Sequence, residues 1–243
     1  MDKKELYAYI DENKGIFEEL SDKIWGFAEI SLKEHESAKA YKDLLAELGF
    51  KVETGLAGVE TAFSGTYGSG RPIIGILGEF DALSGLSQKA GLTVHDELIT
   101  GGSGHGCGHH LQGPNAITAA LALRDAWQGD FKLVLYGTPD EEIAGGKIDM
   151  EKAGCFRDVD VMFGTHTGQG TSASYKNMAL APTWVTFHGT PAHAAGSPWK
   201  GRSAMDALLL CFHGLEVMRE HVKDGCRIHY TIREGTGPSN IVH

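Results

Sequence analysis

Three short stretches of the sequence hold residue types that do chemistry together. In Gly104-His105-Gly106-Cys107-Gly108-His109-His110, a cysteine and a histidine stand one glycine apart. One short loop can aim that sulfur and that imidazole at a common centre, and thiolate and imidazole are the ligands a zinc-like ion prefers. The neighbouring glycines, Gly101, Gly102, Gly104, Gly106 and Gly108, admit backbone conformations that other residues resist. Taken alone, the stretch also fits a flexible glycine loop with incidental histidines. A phosphate cradle is the weaker alternative, because no Gly-Lys-Ser/Thr follows.

The second stretch is Pro139-Asp140-Glu141-Glu142. Three consecutive carboxylates repel one another unless something positive sits nearby. A solvated acidic loop is the bland reading. The sharper one divides the labour: Glu142 binds a metal ion, and Glu141 takes a proton from water activated there, whose pKa a metal lowers to about 7. The third is His166, directly after VDVMFG. A lone histidine after a strand is more often structural, and this one gains weight from its convergence with the other two. Glu79 and Asp81, in GEFDAL, end another apolar run. Desolvated and unpaired they would be costly. They are expected just behind the ligands, Asp81 accepting the free ring N–H of a ligating histidine and so fixing its tautomer. An ordinary cap or turn is the alternative.

The surrounding pattern supplies elements that can position these residues. Apolar residues recur at helical spacing from about Leu6 to Ala28, and a second helix runs from about His35 to Leu48, stopped by Gly49. Extended segments follow at Lys51–Glu53, Thr61–Thr66 and Pro72–Phe80. The continuous apolar runs PIIGILGEF, FKLVLY (131–136) and VDVMFG (159–164) read as buried strands. Helices are expected from about Pro114 to Trp127 and ending near Ala153. Strands alternating with helices predict an α/β sheet with helices on both faces, whose sites gather at the carboxyl ends of the strands. His109, Glu142 and His166 all lie at or just after such ends. From about Met178 the pattern changes: APTWVTFHG alternates, a long helix runs from about Arg202 to Val222, and RIHYTIREG alternates again. This predicts a domain over 1–178 and a smaller α+β one with a half-solvated sheet over 179–243.

Composition narrows the function classes. The formal net charge of -10 gives no electrostatic case for nucleic acid or an anionic membrane. No stretch approaches the roughly 20 apolar residues that span a bilayer. The polar opening MDKKELYAYIDENKG lacks the apolar run of a secretory signal, so the chain reads as cytoplasmic. Four cysteines in 243 residues make no disulfide framework. Cys155, Cys211 and Cys226 read as small buried hydrophobes.

Together, GEFDALSGLSQ, GHGCGHH, PDEE, His166, GTPAHAA and GRSAMDA, in that order, resemble the metallo-aminoacylase and carboxypeptidase-G-like amidohydrolases, most of all their aminobenzoyl-glutamate utilization protein B group. The resemblance covers nearly the whole chain. It implies a three-layer metallopeptidase-like catalytic domain followed by a lid or dimerisation domain. It implies two divalent ions, Zn²⁺ or Mn²⁺ with Co²⁺ or Ni²⁺ tolerated, on Cys107, His109, Glu142 and His166, with Glu141 as general base. By the same resemblance, His193 reaches the site of a neighbouring subunit in a homodimer and polarises the scissile carbonyl, and Asn240 binds the substrate's carboxylate. The implied reaction is hydrolysis of an N-acyl or N-aroyl amino acid such as p-aminobenzoyl-glutamate.

The chain departs from the family pattern in two places. Many members carry Asp where this chain has His110. They also continue beyond the position of His243, and their last histidine ligand, with the rest of the lid and the catalytic sheet, comes from that segment; without it, impaired metal binding and little activity are expected. Two other functions fit parts of the pattern. Cys107 activated by His109 or His110 would make a cysteine nucleophile, but would leave PDEE and His166 unexplained. A non-catalytic, metal-binding or oligomerising scaffold of the same fold is the other.

Overall fold

A computed structural model describes residues 2–127, 129–173, 176–235 and 237–243. Two compact units follow one another, Met1–Ser172 and Ala173–His243, so the division falls a few residues before the expected 178/179.

The first unit opens with α1 (Lys3–Phe27). Its start is fixed by a capping box: the Asp2 carboxylate accepts from the Lys4 and Glu5 amides, and Glu5 returns the bond to the Asp2 amide. Phe17, Leu20, Ser21 and Ile24, at helical spacing, form its buried stripe. After α2 (His35–Glu47) come β1 (Lys51–Thr54), β2 (Phe63–Gly68) and β3 (Ile73–Gly78). A long loop then leads to α3 (Gln112–Ala126), β4 (Lys132–Gly137), α4 (Gly146–Lys152) and β5 (Val161–Gly164).

The five strands form one sheet in the order β1-β2-β4-β3-β5. β3, β4 and β5 are parallel, while β1–β2 and β2–β4 are antiparallel. The sheet is therefore mixed. Strand β4 shows why both faces are covered: Leu133 and Leu135 enter a core with Phe17, Leu20, Ile24, Tyr41, Ile117 and Leu121 from α1, α2 and α3. Val134 and Tyr136, pointing the other way, pack with Met150, Phe156 and Val159. Period-2 alternation thus feeds two cores at once, which is what a continuous apolar run does.

Some expectations need correcting. β5 is not a buried central strand: it pairs with β3 alone among the described residues, and Val161 and Phe163 are exposed. In the second unit, the alternating stretches 181–189 and 227–235 form no strand in the described residues. Alternation marks a strand's two faces, but a strand forms only with a ladder partner, and these stretches have none here. The sheet of this unit is a short antiparallel pair, β6 (Ala192–His193) with β7 (Ile241–Val242). Its helix α5 (Ala204–Met218) starts at Ser203, whose hydroxyl accepts from the Asp206 amide. Cys155 and Cys211 are half-buried, but Cys226 is exposed rather than buried. Among the described residues no helix is long and apolar enough to cross a membrane.

Candidate metal centre

Because β3, β4 and β5 run parallel, their carboxyl ends lie along one edge of the sheet. β3 delivers Glu79 and Asp81, β4 delivers Glu141 and Glu142, and β5 delivers His166. The loop between β3 and α3 brings Cys107 and His109 to the same edge. Gly108 makes this possible. Its φ of +80° is left-handed, and a Cβ there would stand 2.5 Å from Thr167 Oγ1, so only glycine turns the chain tightly enough between the two side chains. Thr167 in turn donates its hydroxyl to the Cys107 carbonyl at 2.9 Å, tying this loop to the end of β5.

Both histidines present a lone pair to a shared space. His109, fully buried, donates Nδ1–H to Asp81 Oδ1 at 2.9 Å. His166 donates Nδ1–H to the Thr167 carbonyl at 2.8 Å. Both therefore carry a free lone pair on Nε2 in their neutral forms. His166 Nε2 lies 3.4 Å from Cys107 Sγ, and the ligand atoms of Cys107, His109 and His166 all lie within 4.8 Å of one another. Glu79, His109 and Glu141 make a second such group. Since His109 has one lone pair, and one lone pair serves one ion, the two groups are alternative uses of the same nitrogen. A second ion must draw on the carboxylates or share Cys107.

Two orphaned atoms show what the site accepts. His109 Nε2 and Glu142 Oε1 are both buried without a hydrogen-bond partner, and they face each other at 3.8 Å. Buried polar atoms are ordinarily satisfied, and exceptions call for an explanation. A nitrogen lone pair and a carboxylate oxygen cannot satisfy each other, whereas a cation satisfies both. The donor set of thiol, two imidazoles and carboxylates therefore fits a divalent ion.

Electrostatics agree. Burial and then the carboxylates Glu142, Glu141 and Glu79 push the Cys107 thiol up to about 12. Such a thiol is a poor nucleophile near neutrality, and only a cation reverses its preference. Burial, then the charge of Glu79, raises the pKa of Glu141, the direction that suits a group passing a proton back and forth. For His109, burial acts downward, but the Asp81 hydrogen bond and the charges of Glu79 and Asp81 outweigh it and raise its pKa. For Asp81, burial acts upward and is overcome by hydrogen bonds from His109, the Glu142 amide and Ser31, so its pKa falls.

Glu79 stands closer to the centre than a supporting role demands. One of its oxygens is 3.2 Å from His109 Nε2 and accepts from Gln112 Nε2 at 2.6 Å; the other pairs with Lys147. Sequence reasoning passed over Gln112 and Lys147, and also Ser31, Glu34 and Thr167. Lys147 had a legible signal, as the one cation in the loop and helix start that follow PDEE. His110 lies behind the site against Trp25, edge-on at 4.9 Å between ring centroids, and so takes no place among the ligands.

His193 and Asn240 belong to the second unit. His193 Nδ1 accepts from the Ala195 and Gly196 amides at 3.2 and 3.0 Å, which fixes the proton of the neutral ring on Nε2 and leaves an exposed N–H donor. The Asn240 carbonyl accepts from the Ala194 amide at 2.9 Å just beyond the β6–β7 pair, in which His193 faces Ile241.

Comparison with known proteins shows the family of the chain. Residues 75–240 match the model of the peptidase family M20/M25/M40. The chain is 36% identical to a p-aminobenzoyl-glutamate hydrolase subunit of Escherichia coli K12 over 98% of its own length and 52% of that protein. It is also 36% identical to a human Xaa-Arg dipeptidase, over 71% of this chain and 37% of that one. It thus spans about half, or less, of the curated relatives it matches. In fold it is similar to an aminobenzoyl-glutamate utilization protein from Klebsiella pneumoniae, with a TM-score of 0.63 and 19% identity over 98% of this chain and 66% of that one. A dinuclear metal binding peptidase of the M20 family from Bacillus subtilis aligns with a TM-score of 0.51 and 24% identity over 64% of this chain and 44% of its own. This chain belongs to the peptidase family M20/M25/M40.

Proposed function

We propose that the protein is a metal-dependent amidohydrolase that cleaves the amide bond between an acyl or aroyl group and an amino acid, with p-aminobenzoyl-glutamate as the first substrate to test. The observation that carries the reading is the facing pair of orphaned atoms, His109 Nε2 and Glu142 Oε1, beside a half-exposed carboxylate of raised pKa, Glu141. The substrate class follows the likeness to a p-aminobenzoyl-glutamate hydrolase and to a dipeptidase.

Cys107, His109, Glu142 and His166 would hold two divalent ions, Zn²⁺ or Mn²⁺. When bound, these supply Lewis acidity that polarises an amide carbonyl and makes hydroxide available near neutrality. The chain's own residues do the rest. Asp81 keeps the His109 proton on Nδ1, so that Nε2 stays free to bind. Glu141 takes the proton of the attacking water as its oxygen bonds to the amide carbon, then delivers it to the departing nitrogen as the C–N bond breaks. His193, offered by a neighbouring copy in a homodimer, donates Nε2–H to the developing oxyanion; one such donor contributes about 2.7–4 kcal/mol of barrier lowering. Asn240, just before β7, binds the substrate's carboxylate.

Release of p-aminobenzoate from p-aminobenzoyl-glutamate tests the reading. Chelation is expected to abolish it, and added Mn²⁺ or Zn²⁺ to restore it. Turnover that persists through exhaustive chelation would refute the metal mechanism, and stoichiometric metal uptake without turnover on any acyl-amino acid would leave a scaffold.

A further inference from the structure

Residues 28–34 connect α1 to α2. In the structure this connector runs behind three of the segments that build the site: the end of β3, the loop that carries Cys107 and His109, and the turn that carries Glu141 and Glu142. The Glu29 carbonyl accepts from the Ala82 amide at 2.8 Å, just past the end of β3, and Ile30 bridges to Ala82. The Ser31 hydroxyl donates to Asp81 Oδ2 at 2.8 Å. The Ala28 carbonyl accepts from the Ser103 hydroxyl, on the loop that carries Cys107 and His109. On the same side, the Ile24 carbonyl accepts Nε2–H of His105 at 3.0 Å.

Glu34 makes the longest reach. Its side chain is fully buried. One oxygen accepts from the Asp140 amide at 2.9 Å and the other from the Thr61 hydroxyl at 3.2 Å. A helix cap is the obvious duty for a carboxylate preceding α2, but Glu34 makes no cap bond. Glu29 does that work, accepting from the Glu36 and Ser37 amides at 3.0 and 2.8 Å and from the Ser37 hydroxyl. Glu34 is therefore free to hold Asp140.

Asp140 needs holding. Its φ is +60°, as are those of Leu32 (+62°) and Ala28 (+45°) within the left-handed region that non-glycine residues avoid. Strained backbone persists where surrounding structure over-determines it, and it gathers at functional sites. Here three strained residues stand at the two ends of one brace: the connector, and the turn that sends Glu141 and Glu142 off the end of β4.

We propose that the connector 28–34 is a positioning element for the metal centre, with Glu34 as the residue that fixes, through the Asp140 amide, the direction in which Glu141 and Glu142 enter the site. The inference rests on the metal-centre reading above. Glu34 touches no ion or substrate; it acts through the backbone of the residue before the general base.

Three variants test it: Glu34→Leu, which removes the acceptors; Glu34→Gln, which keeps an oxygen for the Asp140 amide while the Thr61 hydroxyl turns to accept from the new NH₂; and Ser31→Ala. Zn²⁺ affinity is read by competition with a chromogenic chelator, the melting temperature of the metal-free protein by circular dichroism, and exchange of the Asp140–Glu142 amides by mass spectrometry. Glu34→Leu is expected to lose about 10–100-fold in Zn²⁺ affinity, with faster exchange confined to the turn, and Glu34→Gln to restore most of both. Should Glu34→Leu fail to fold, Ser31→Ala still decides, with weaker Zn²⁺ binding expected beside the modest drop in melting temperature that loss of one hydrogen bond to the Asp81 carboxylate brings. A lower melting temperature with wild-type Zn²⁺ affinity and unchanged exchange at Asp140–Glu142 would overturn the proposal. If the wild type itself takes up no Zn²⁺, the metal reading falls, and exchange in the Glu34 variants still passes judgement on the brace.

Discussion

Replacing Asp81 with Asn removes one charge and one acceptor, and the structure says where each is missed. Asp81 is buried, and its carboxylate takes three donors: His109 Nδ1–H at 2.9 Å, the Glu142 amide at 2.9 Å and the Ser31 hydroxyl at 2.8 Å. Asn has a single oxygen, so it serves one side. If that oxygen faces Glu142 and Ser31, its NH₂ meets His109 Nδ1. The imidazole then moves its proton to Nε2, and the lone pair that binds metal is gone. If the oxygen faces His109 instead, the Glu142 amide is stranded, at about 1–3 kcal/mol. The first arrangement satisfies the Asn side chain, the Glu142 amide and the Ser31 hydroxyl, gives up the 3.1 Å hydrogen bond from His109 Nδ1–H to the residue-81 carbonyl, and is the one expected. Three charge-assisted hydrogen bonds become neutral ones, a loss of about 1 kcal/mol each and about 2–4 kcal/mol in all. Zn²⁺ affinity falls about 10–100-fold.

The pH dependence of the metal-free protein carries the same signature. Asp81 has a depressed pKa, so its contribution is present above its ordinary value of about 3.9 and lost as pH falls through the folded one. His109 has a raised pKa; its contribution is complete below about 6.5 and lost as pH rises through the folded value. The stability gap between wild type and Asp81→Asn is therefore widest between about pH 4 and 6.5. Urea unfolding across that range, with ¹⁵N spectra of the His109 ring, measures both effects. A gap that stays flat from acid to neutral pH, with the His109 proton still on Nδ1 in the variant, would refute the reasoning.

The division of roles in the acidic turn predicts that Glu141→Gln binds metal like the wild type and loses turnover, whereas Glu142→Gln loses metal; metal content measured beside p-aminobenzoate release separates the two, and equal metal loss contradicts the assignment. Because the Cys107 thiol is pushed up to about 12, iodoacetamide at pH 8 is expected to modify exposed Cys226 well before Cys107 in the metal-free protein. Peptide mapping reads the order, and preferential labelling of Cys107 would revive the cysteine nucleophile.

What the sequence made legible followed from period and spacing. α1, β3, β4 and α3 are long and strongly patterned, and their predicted positions are close to those in the structure. The meeting of GHGCGHH, PDEE and His166 was legible too, because parallel strands put their carboxyl ends on one edge. Less local features were not. The antiparallel order β1-β2-β4 depends on ladder choices that a short strand does not encode. The exposure of β5 and the missing strands at 181–189 and 227–235 depend on partners, and alternation says nothing of whether a partner is present. Ser31 and Glu34 were illegible for another reason: their bonds span 50 and 106 residues, and the connector they sit in has a bland local pattern.

So acidic a site must still fold. Glu79, Asp81, Asp140, Glu141 and Glu142 crowd one sheet edge, and among the described residues the cations within ion-pair distance of them are Lys147 and, only when protonated, His109. Burial, with like charge, raises the pKa of Asp140 as well as that of Glu141, so these two carboxyls resist ionisation. An ion that binds the folded chain and not the unfolded one removes that resistance. It adds stability of about 2.7 kcal/mol when present at 100 times its dissociation constant. The brace at Glu34 and Ser31 and the clamp at Asp81 then have a common purpose: they hold repelling carboxylates in place before the ion arrives, so that its binding energy goes into capture and not into assembling the site.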